Sequence, residues 1–367
     1  MFPTLSTPCL LVEEPVLQRN LARAAAVATR AGCLLRPHIK THKSPELALR
    51  QAKAGAAGFT CATIAEAAAL FEAGLTDVFL AYPVVGEPAV AAFLELRRRG
   101  RLACAVDHAD QVLSLARAAR DAGLTVPVRL EIDCGHHRCG LPPGPALLEL
   151  ARLVAATPGL ALEGVFTHAG HAYGARTPEA LAAAGRQEGE AVVAAAALLR
   201  EKAGLEVAVV SVGSTPTMTV SPFVAGVTEM RPGNYVFHDG IQVQLGVCGW
   251  EDAALSVLAT VIAVFPDRVV IDAGSKAAGL DKGAHGLSLM PGYGHFPDHP
   301  EWVLGRLSEE HGVIDLPEPH EAGRPVRIGD RVRFVPNHAC AVVNLHPALH
   351  LVAGDSLLAS WKVTARR

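Results

Sequence analysis

Residues 77–132 read DVFLAYPVVGEPAVAAFLELRRRGRLACAVDHADQVLSLARAARDAGLTVPVRLEI. Asp77–Tyr82, Leu102–Val106 and Val126–Ile132 are short apolar runs of strand character. Ala89–Arg99 and Gln111–Ala122 lie between them, with apolar residues at helical spacing and charges on the opposite face. Each of these helices runs into a glycine, Gly100 or Gly123. Glycine takes the left-handed stop conformation without penalty.

The same unit recurs on both sides. Cys33–Ile39, Gly58–Ile64, Leu162–Thr167, Val207–Val212 and Val227–Tyr235 are further strand candidates, and Ser44–Ala54 and Ala65–Ala73 are helices that stop at Gly55 and Gly74. Strand-helix alternation repeated roughly eight times predicts a (β/α)8 TIM-type barrel, over residues 14–240. A doubly wound open sheet is the alternative, but it usually has fewer units, and no GxGxxG follows the first strand. The texture changes after Phe237. Leu255–Val264, Arg268–Asp272, Arg331–Val335, Ala341–Asn344 and Ala348–Val352 read as strands separated by Pro/Gly-rich turns. Residues 241–367, with 1–13 and the early strand Cys9–Glu13, are expected to form a second, mainly β C-terminal domain. The Gly/Pro/His-rich segment Gly292–Pro300 reads as a surface turn.

Composition excludes several classes. A net charge of −3 argues against a nucleic-acid footprint. Half of the residues are hydrophobic, yet no stretch long enough to span a membrane lacks polar interruption. The start, Met1 to Glu14, has no basic segment ahead of an apolar one, so no signal peptide is expected. Eight cysteines in 367 residues do not make a disulfide scaffold, and a reducing cytoplasm is the expected setting.

In a barrel of this kind the working residues stand at the C-terminal strand ends, and the polar clusters here fall there. The first strand runs into Arg36-Pro-His-Ile-Lys40-Thr-His-Lys43. A desolvated lysine among cations loses proton affinity and becomes an amine nucleophile able to form a Schiff base. His38, His42, Arg36 and Lys43 would supply that field; a solvated basic turn is the plainer reading of these residues alone. Gly213-Ser214-Thr215 follows the seventh strand and suits a phosphate, through backbone N–H groups and two hydroxyls. A helix N-cap is the other reading of the same residues. A lysine that can form an imine opposite a phosphate cradle suggests pyridoxal phosphate.

Two further clusters contain metal-ligand types. Cys134, His136, His137 and Cys139 follow the fifth strand, but their CxxxxC spacing is wrong for a zinc knuckle. Arg138 among them reads better as a cation for the cofactor's phenolate or a substrate carboxylate. His168, after the sixth strand, either packs on the cofactor ring or is a hydrogen-bonded strand-end histidine. In Pro336-Asn-His338-Ala-Cys340 an extended chain would point both ligands to one side, and imidazole plus thiolate favours zinc with positions left open. Free cysteine is also a common core residue.

Arg-Pro-His-x-Lys-Thr-His-Lys, the DxGxxRxG run from Asp133, Thr-His-x-Gly, Gly-Ser-Thr-Pro, Arg-Pro-Gly-Asn-Tyr and the late His-x-Cys occur in one order between Thr7 and His346. This chain thereby resembles the fold-type III pyridoxal-phosphate enzymes, in the D-threonine aldolase and D-serine dehydratase group. The resemblance implies an alanine-racemase-like barrel with a β domain, as a homodimer. It implies that Lys40 carries the cofactor as a Schiff base, that Gly213, Ser214 and Thr215 hold its phosphate, and that Arg138, His168, Tyr173 and Tyr235 contribute to its site. His338 and Cys340 at the metal position look like those of zinc-dependent dehydratases of D-serine or 3-hydroxy-D-aspartate. Aldolases of the group more typically show His-x-Asp with manganese or magnesium. The expected activity is therefore a metal-dependent dehydratase releasing a 2-oxo acid and ammonia from a small 3-hydroxy-D-amino acid. A D-threonine aldolase giving glycine and an aldehyde, a racemase and a non-catalytic cofactor-binding protein are the alternatives.

Overall fold

The structure, a computed structural model, describes residues 2–316 and 326–366. It divides into two compact units. One comprises Ala22–Lys40, Pro45–Gly233 and Ala365–Arg367, the other Met1–Leu21, Thr41–Ser44 and Asn234–Thr364.

The first unit is the expected barrel. Eight parallel strands run Leu34–Leu35, Phe59–Cys61, Asp77–Pro83, Arg101–Val106, Val126–Ile132, Leu160–Thr167, Val209–Val212 and Glu229–Met230. Each pairs with its sequence neighbour, the first pairs with the last, and the bridge His38↔Thr60 joins the first to the second. Helices Pro45–Lys53, Ile64–Glu72, Glu87–Arg99, Ala109–Asp121, Pro145–Ala156 and Pro178–Ala203 fill the crossovers. The seventh strand is followed by turns and the short 3-10 helix Ser221–Phe223 instead. Three of the stopping glycines, Gly55, Gly74 and Gly123, are left-handed as expected. Gly100 is not: its φ is 174°, an extended value. It is confined by crowding, since a Cβ there would come within 2.7 Å of the Thr76 side chain.

The barrel interior combines an apolar cluster of Phe79, Ala103, Ala105 and Phe166 with a buried charge network. Glu229 accepts from Arg36 Nε and Arg129 Nη1, both at 2.6 Å, and from Ser211 Oγ at 2.7 Å. Arg36 also binds Asp77 at 2.8 Å, and Arg129 binds Glu163 and stacks on Phe79 at 4.2 Å. Burial opposes ionisation of Glu229, but Arg129 and Arg36 outweigh it and bring its pKa down to about 2. The sign follows. A carboxyl depressed from 4.5 to about 2 stabilises the fold by about 3 kcal/mol above pH 4.5, and this is lost as pH falls toward 2. Glu229→Gln is expected to lower stability by about 3–5 kcal/mol, because two buried guanidiniums lose the anion they share and keep only Asp77 and Glu163. Denaturant melts at several pH values check this, and the variant's acid slope should flatten between pH 4.5 and 2.

The second unit is mainly β. A nine-stranded sheet orders Val303–Leu307, Gly312–Asp315, Arg268–Ile271, Leu255–Val264, Cys9–Glu13, Ala348–Ala353 and Ser356–Lys362, with Arg331–Pro336 and Gly294–His295 branching from it. Cys9–Glu13 joins it as expected, antiparallel to Leu255–Val264 and parallel to Ala348–Ala353. Gly292–Pro300 is more than a turn, because Gly294–His295 pairs with Val335 and Pro336. The expected strand Ala341–Asn344 is instead part of a helix, Ala339–Leu345. Its first N–H, on Ala339, donates to Asp239 Oδ2 at 2.8 Å. That distant carboxylate, with burial of Val342 and Val343, overrides the β-branched run. Among the described residues no helix is long and apolar enough to cross a membrane.

Candidate active site

The barrel unit gathers its site at the strand ends. Lys40, half-buried, lies in the single 3-10 turn Ile39–Thr41 after Leu34–Leu35. The expected strand Cys33–Ile39 is cut short because Pro37 has no N–H for a ladder. The cations around Lys40 also differ from the sequence expectation. The Arg36 guanidinium turns into the barrel to Glu229 and Asp77. His38 has its pKa held well below the usual histidine range by burial and then by Lys40, Arg231, His168 and Arg138, so it is neutral. Its Nδ1 accepts the Lys40 backbone N–H at 3.3 Å, leaving the ring proton on Nε2. The positive field comes from Arg138 and Arg231, charges that both act on His38 beside Lys40.

His168 shares this neighbourhood. Its Nδ1–H donates to the Gly213 carbonyl at 2.5 Å, and its ring meets His136 edge-on at 5.8 Å. Burial and the Lys40 charge hold it neutral, so Nε2 carries a lone pair. The backbone hydrogen bond thus joins His168 to the Gly213 loop. Gly213 is required by space: a Cβ would lie 2.8 Å from Arg231 Nη2. Its own N–H donates to Glu188 Oε1 at 3.0 Å. Ser214 Oγ is buried with no hydrogen-bond partner among the described residues, and Thr215 is buried beside it in sequence. No α-helix begins at these residues, so the N-cap reading falls away. An orphaned hydroxyl in this loop, with Lys40 and Arg231 in the same unit, fits the pyridoxal phosphate implied by resemblance.

Arg231 opens the Arg-Pro-Gly-Asn-Tyr run, to which the sequence attaches no individual role. It is buried, donating to Ser211 Oγ at 2.7 Å, Val212 O at 2.9 Å and Thr167 O at 2.6 Å, and burial brings its pKa down to about 10. Arg138 is half exposed, with Nη2 3.6 Å from Glu131 Oε1. Tyr173 lies half-buried in the 3-10 helix Gly170–Gly174.

The Cys134–Cys139 run is not a zinc cluster. Cys134 is buried among Ala169, Ala172 and Ala184, whereas exposed His137 pairs with Asp133 at 2.8 Å. His136 lies against Gly170, where any Cβ would meet its ring. Cys139 instead approaches Asp107 and Glu131.

The β unit holds the second cluster. His338 precedes the helix Ala339–Leu345 with extended dihedrals and Cys340 lies within its first turn, so the pair does not sit on the extended chain expected. They nevertheless interact. Burial lowers the His338 pKa, but the Asp281 hydrogen bond and Cys340 outweigh it, and the group is raised well above the usual range. Asp281 Oδ2 stands 2.6 Å from His338 Nδ1, an orienting carboxylate that leaves Nε2 for an ion. Asn337 fastens that segment, donating to Asp281 O at 3.0 Å and Gly292 O at 2.8 Å. Thr41, the residue after Lys40 in the chain, brings its hydroxyl to 3.1 Å from Cys340 Sγ. Tyr235 is buried in this unit, in the 3-10 helix Asn234–Val236. Imidazole, thiol and an orienting carboxylate suit a divalent ion with open positions. Asp281 was missed because nothing in Leu280-Asp281-Lys282 marks it as a partner of His338, 57 residues away. Asp281→Asn is expected to lower metal affinity about 10–100-fold while leaving the fold intact, read by competitive chelator titration and circular dichroism.

A family model described as the alanine racemase N-terminal domain matches residues 13–239, and a serine dehydratase domain model matches residues 254–352. The D-threo-3-hydroxyaspartate dehydratase of Delftia sp. is 40% identical over 98% of this chain and 97% of its own. Its solved structure matches with a TM-score of 0.91 at 39% identity, over 98% of this chain and 97% of that one. Solved variants of it replace a cysteine by alanine, in the metal-free form, and a histidine by alanine; these positions are two residues apart, the spacing of His338 and Cys340. The D-threonine aldolase of Arthrobacter sp. is 31% identical over 99% of this chain and 93% of its own. The D-serine dehydratase of Dictyostelium discoideum is 28% identical over 96% of this chain and 94% of its own.

Proposed function

Because this chain belongs to the alanine racemase N-terminal domain family and carries a serine dehydratase domain behind it, we propose that it is a pyridoxal phosphate- and zinc-dependent dehydratase of 3-hydroxy-D-amino acids. D-threo-3-hydroxyaspartate is the first substrate to test and D-serine the second, after the relatives' names. The observation that carries the choice of dehydration is the His338–Cys340 pair with its orienting Asp281. Solved variants of the dehydratase relative replace a cysteine, in a metal-free form, and a histidine two residues before it, the spacing of His338 and Cys340.

Lys40 would hold the cofactor through its amine and, when its amine is free, would be the base that takes the Cα proton. Pyridoxal phosphate, when bound, supplies an electron sink for the bond broken at Cα. Ser214 and Thr215 hold its phosphate, and Arg138 and Arg231 balance its negative charge. His168, fixed by Gly213 with Nε2 unprotonated, packs as a neutral ring. Neutral His38 and His168 keep two more cations out of a site that must accept a protonated lysine during turnover. His338 Nε2 and Cys340 Sγ would hold the ion, a Lewis acid for the β-hydroxyl. Loss of that hydroxyl as water, then hydrolysis, gives a 2-oxo acid and ammonia.

The test incubates the loaded, zinc-supplemented protein separately with D-threo-3-hydroxyaspartate, D-serine and D-threonine. Ammonia with a 2-oxo acid establishes the dehydratase. Glycine with an aldehyde assigns the aldolase reading, which the D-threonine aldolase relative keeps in play. Cofactor uptake without turnover of any of the three would leave a binding protein.

A further inference from the structure

Two glycines interrupt the helix Pro178–Ala203, where each costs helix stability relative to alanine. Close packing accounts for both. A Cβ on Gly185 would come 2.9 Å from Val220, and one on Gly189 would meet the Val224 side chain and lie 3.0 Å from Ser221 O. The helix is thereby pressed against residues 217–224, and Glu188, beside Gly189, is fully buried. Its Oε1 accepts the N–H of Ala169 at 3.2 Å and of Gly213 at 3.0 Å, and its Oε2 accepts the Thr217 hydroxyl at 2.5 Å. One carboxylate therefore ties together two loops of the site. Ala169 follows His168, Gly213 precedes Ser214 and Thr215, and His168 itself donates to Gly213 O.

We propose that Glu188 is a positioning residue for the cofactor's phosphate, acting through Gly213 to present Ser214 and Thr215. The inference rests on reading this loop as the pyridoxal phosphate site. Glu188 works by acceptor geometry, since its charge would repel a phosphate. A glutamine can reproduce that geometry: its oxygen accepts both N–H groups, and its amide donates to Thr217 Oγ1 once that hydroxyl rotates. Alanine cannot, and leaves two buried N–H groups without their acceptor.

The experiment titrates the cofactor-free full chain with pyridoxal phosphate and, separately, with pyridoxal, which lacks the phosphate, following absorbance. Glu188→Ala is expected to weaken pyridoxal phosphate about tenfold or more while pyridoxal stays within about twofold of wild type. Glu188→Gln should restore the phosphate form to within about threefold of wild type. Should the alanine variant not fold, Glu188→Asp takes its place, and its shortened reach predicts the same selective loss. Equal affinity for pyridoxal phosphate in wild type and variant would overturn the proposal. So would an equal loss for both ligands, or a glutamine variant as weak as the alanine one. A wild-type chain that takes up no pyridoxal phosphate defeats the cofactor reading itself, and this inference with it.

Discussion

Lys40→Ala is expected to cut turnover by about a thousandfold or more and to remove the visible band of the lysine-bound cofactor. On the proposed reading alanine offers neither the amine that would hold the cofactor nor the base for the Cα proton. Among the described residues charged or titratable beside it, Arg138, Arg231, His38 and His168 cannot replace it. Arg138 and Arg231 are guanidiniums, poor nucleophiles and poor bases, and His38 and His168 form no stable imine. The fold should survive, because Lys40 lies in a 3-10 turn outside the buried charge network. Absorbance and circular dichroism of the same sample separate the two effects. A band that persists in the alanine variant would sink the assignment of Lys40.

The second large effect concerns the ion. Chelation, or Cys340→Ala, is expected to reduce turnover by more than about a hundredfold while the visible band stays in place. The two readouts come apart because the cofactor's residues and the metal's residues belong to different sequence segments. On the proposed reading Lys40, Ser214 and Thr215 would hold the one, and His338 and Cys340, with Asp281 orienting the histidine, would hold the other. Added zinc should restore the chelated wild type and fail to restore Cys340→Ala at the same concentration. Full turnover in the metal-free protein would refute the Lewis-acid role. A band lost together with activity would show that Cys340 supports cofactor binding instead.

Much of the architecture was legible because period and punctuation are local signals. Val126–Ile132 and Leu255–Val264 are legible to the residue in their apolar runs, and Cys9–Glu13 reads as a strand of the β unit from its sequence alone. The failures came where distant groups decide. Val342 and Val343 look like a strand until Asp239, 100 residues away, takes the N–H that opens their helix. In Arg36-Pro-His-Ile-Lys40, neighbours in sequence were counted as neighbours in charge, yet Arg36 faces the barrel core and His38 is neutral. Asp281 and Glu188 carry no local signature, since each acts on atoms far along the chain. Gly185 and Gly189 were the one readable hint. Two glycines within a long helical pattern mark a close approach, and the residue beside them is where a buried contact should be sought.

The Glu229 network has a consequence for how the chain is made. Glu229 sits on the last barrel strand and binds Arg129, 100 residues earlier, and Arg36, 193 residues earlier. A ribosome that has released only the first seven strands holds Arg36 and Arg129 with Asp77 and Glu163 as partners but without the buried anion they share, which leaves the centre of the network uncompensated. The partial barrel is therefore expected to stay less stable until residue 229 emerges and completes the network. The barrel is thus not a stack of separable halves. A chain cut between its seventh and eighth strands should yield a fragment markedly less stable than the whole barrel, since the anion shared by Arg36 and Arg129 is gone.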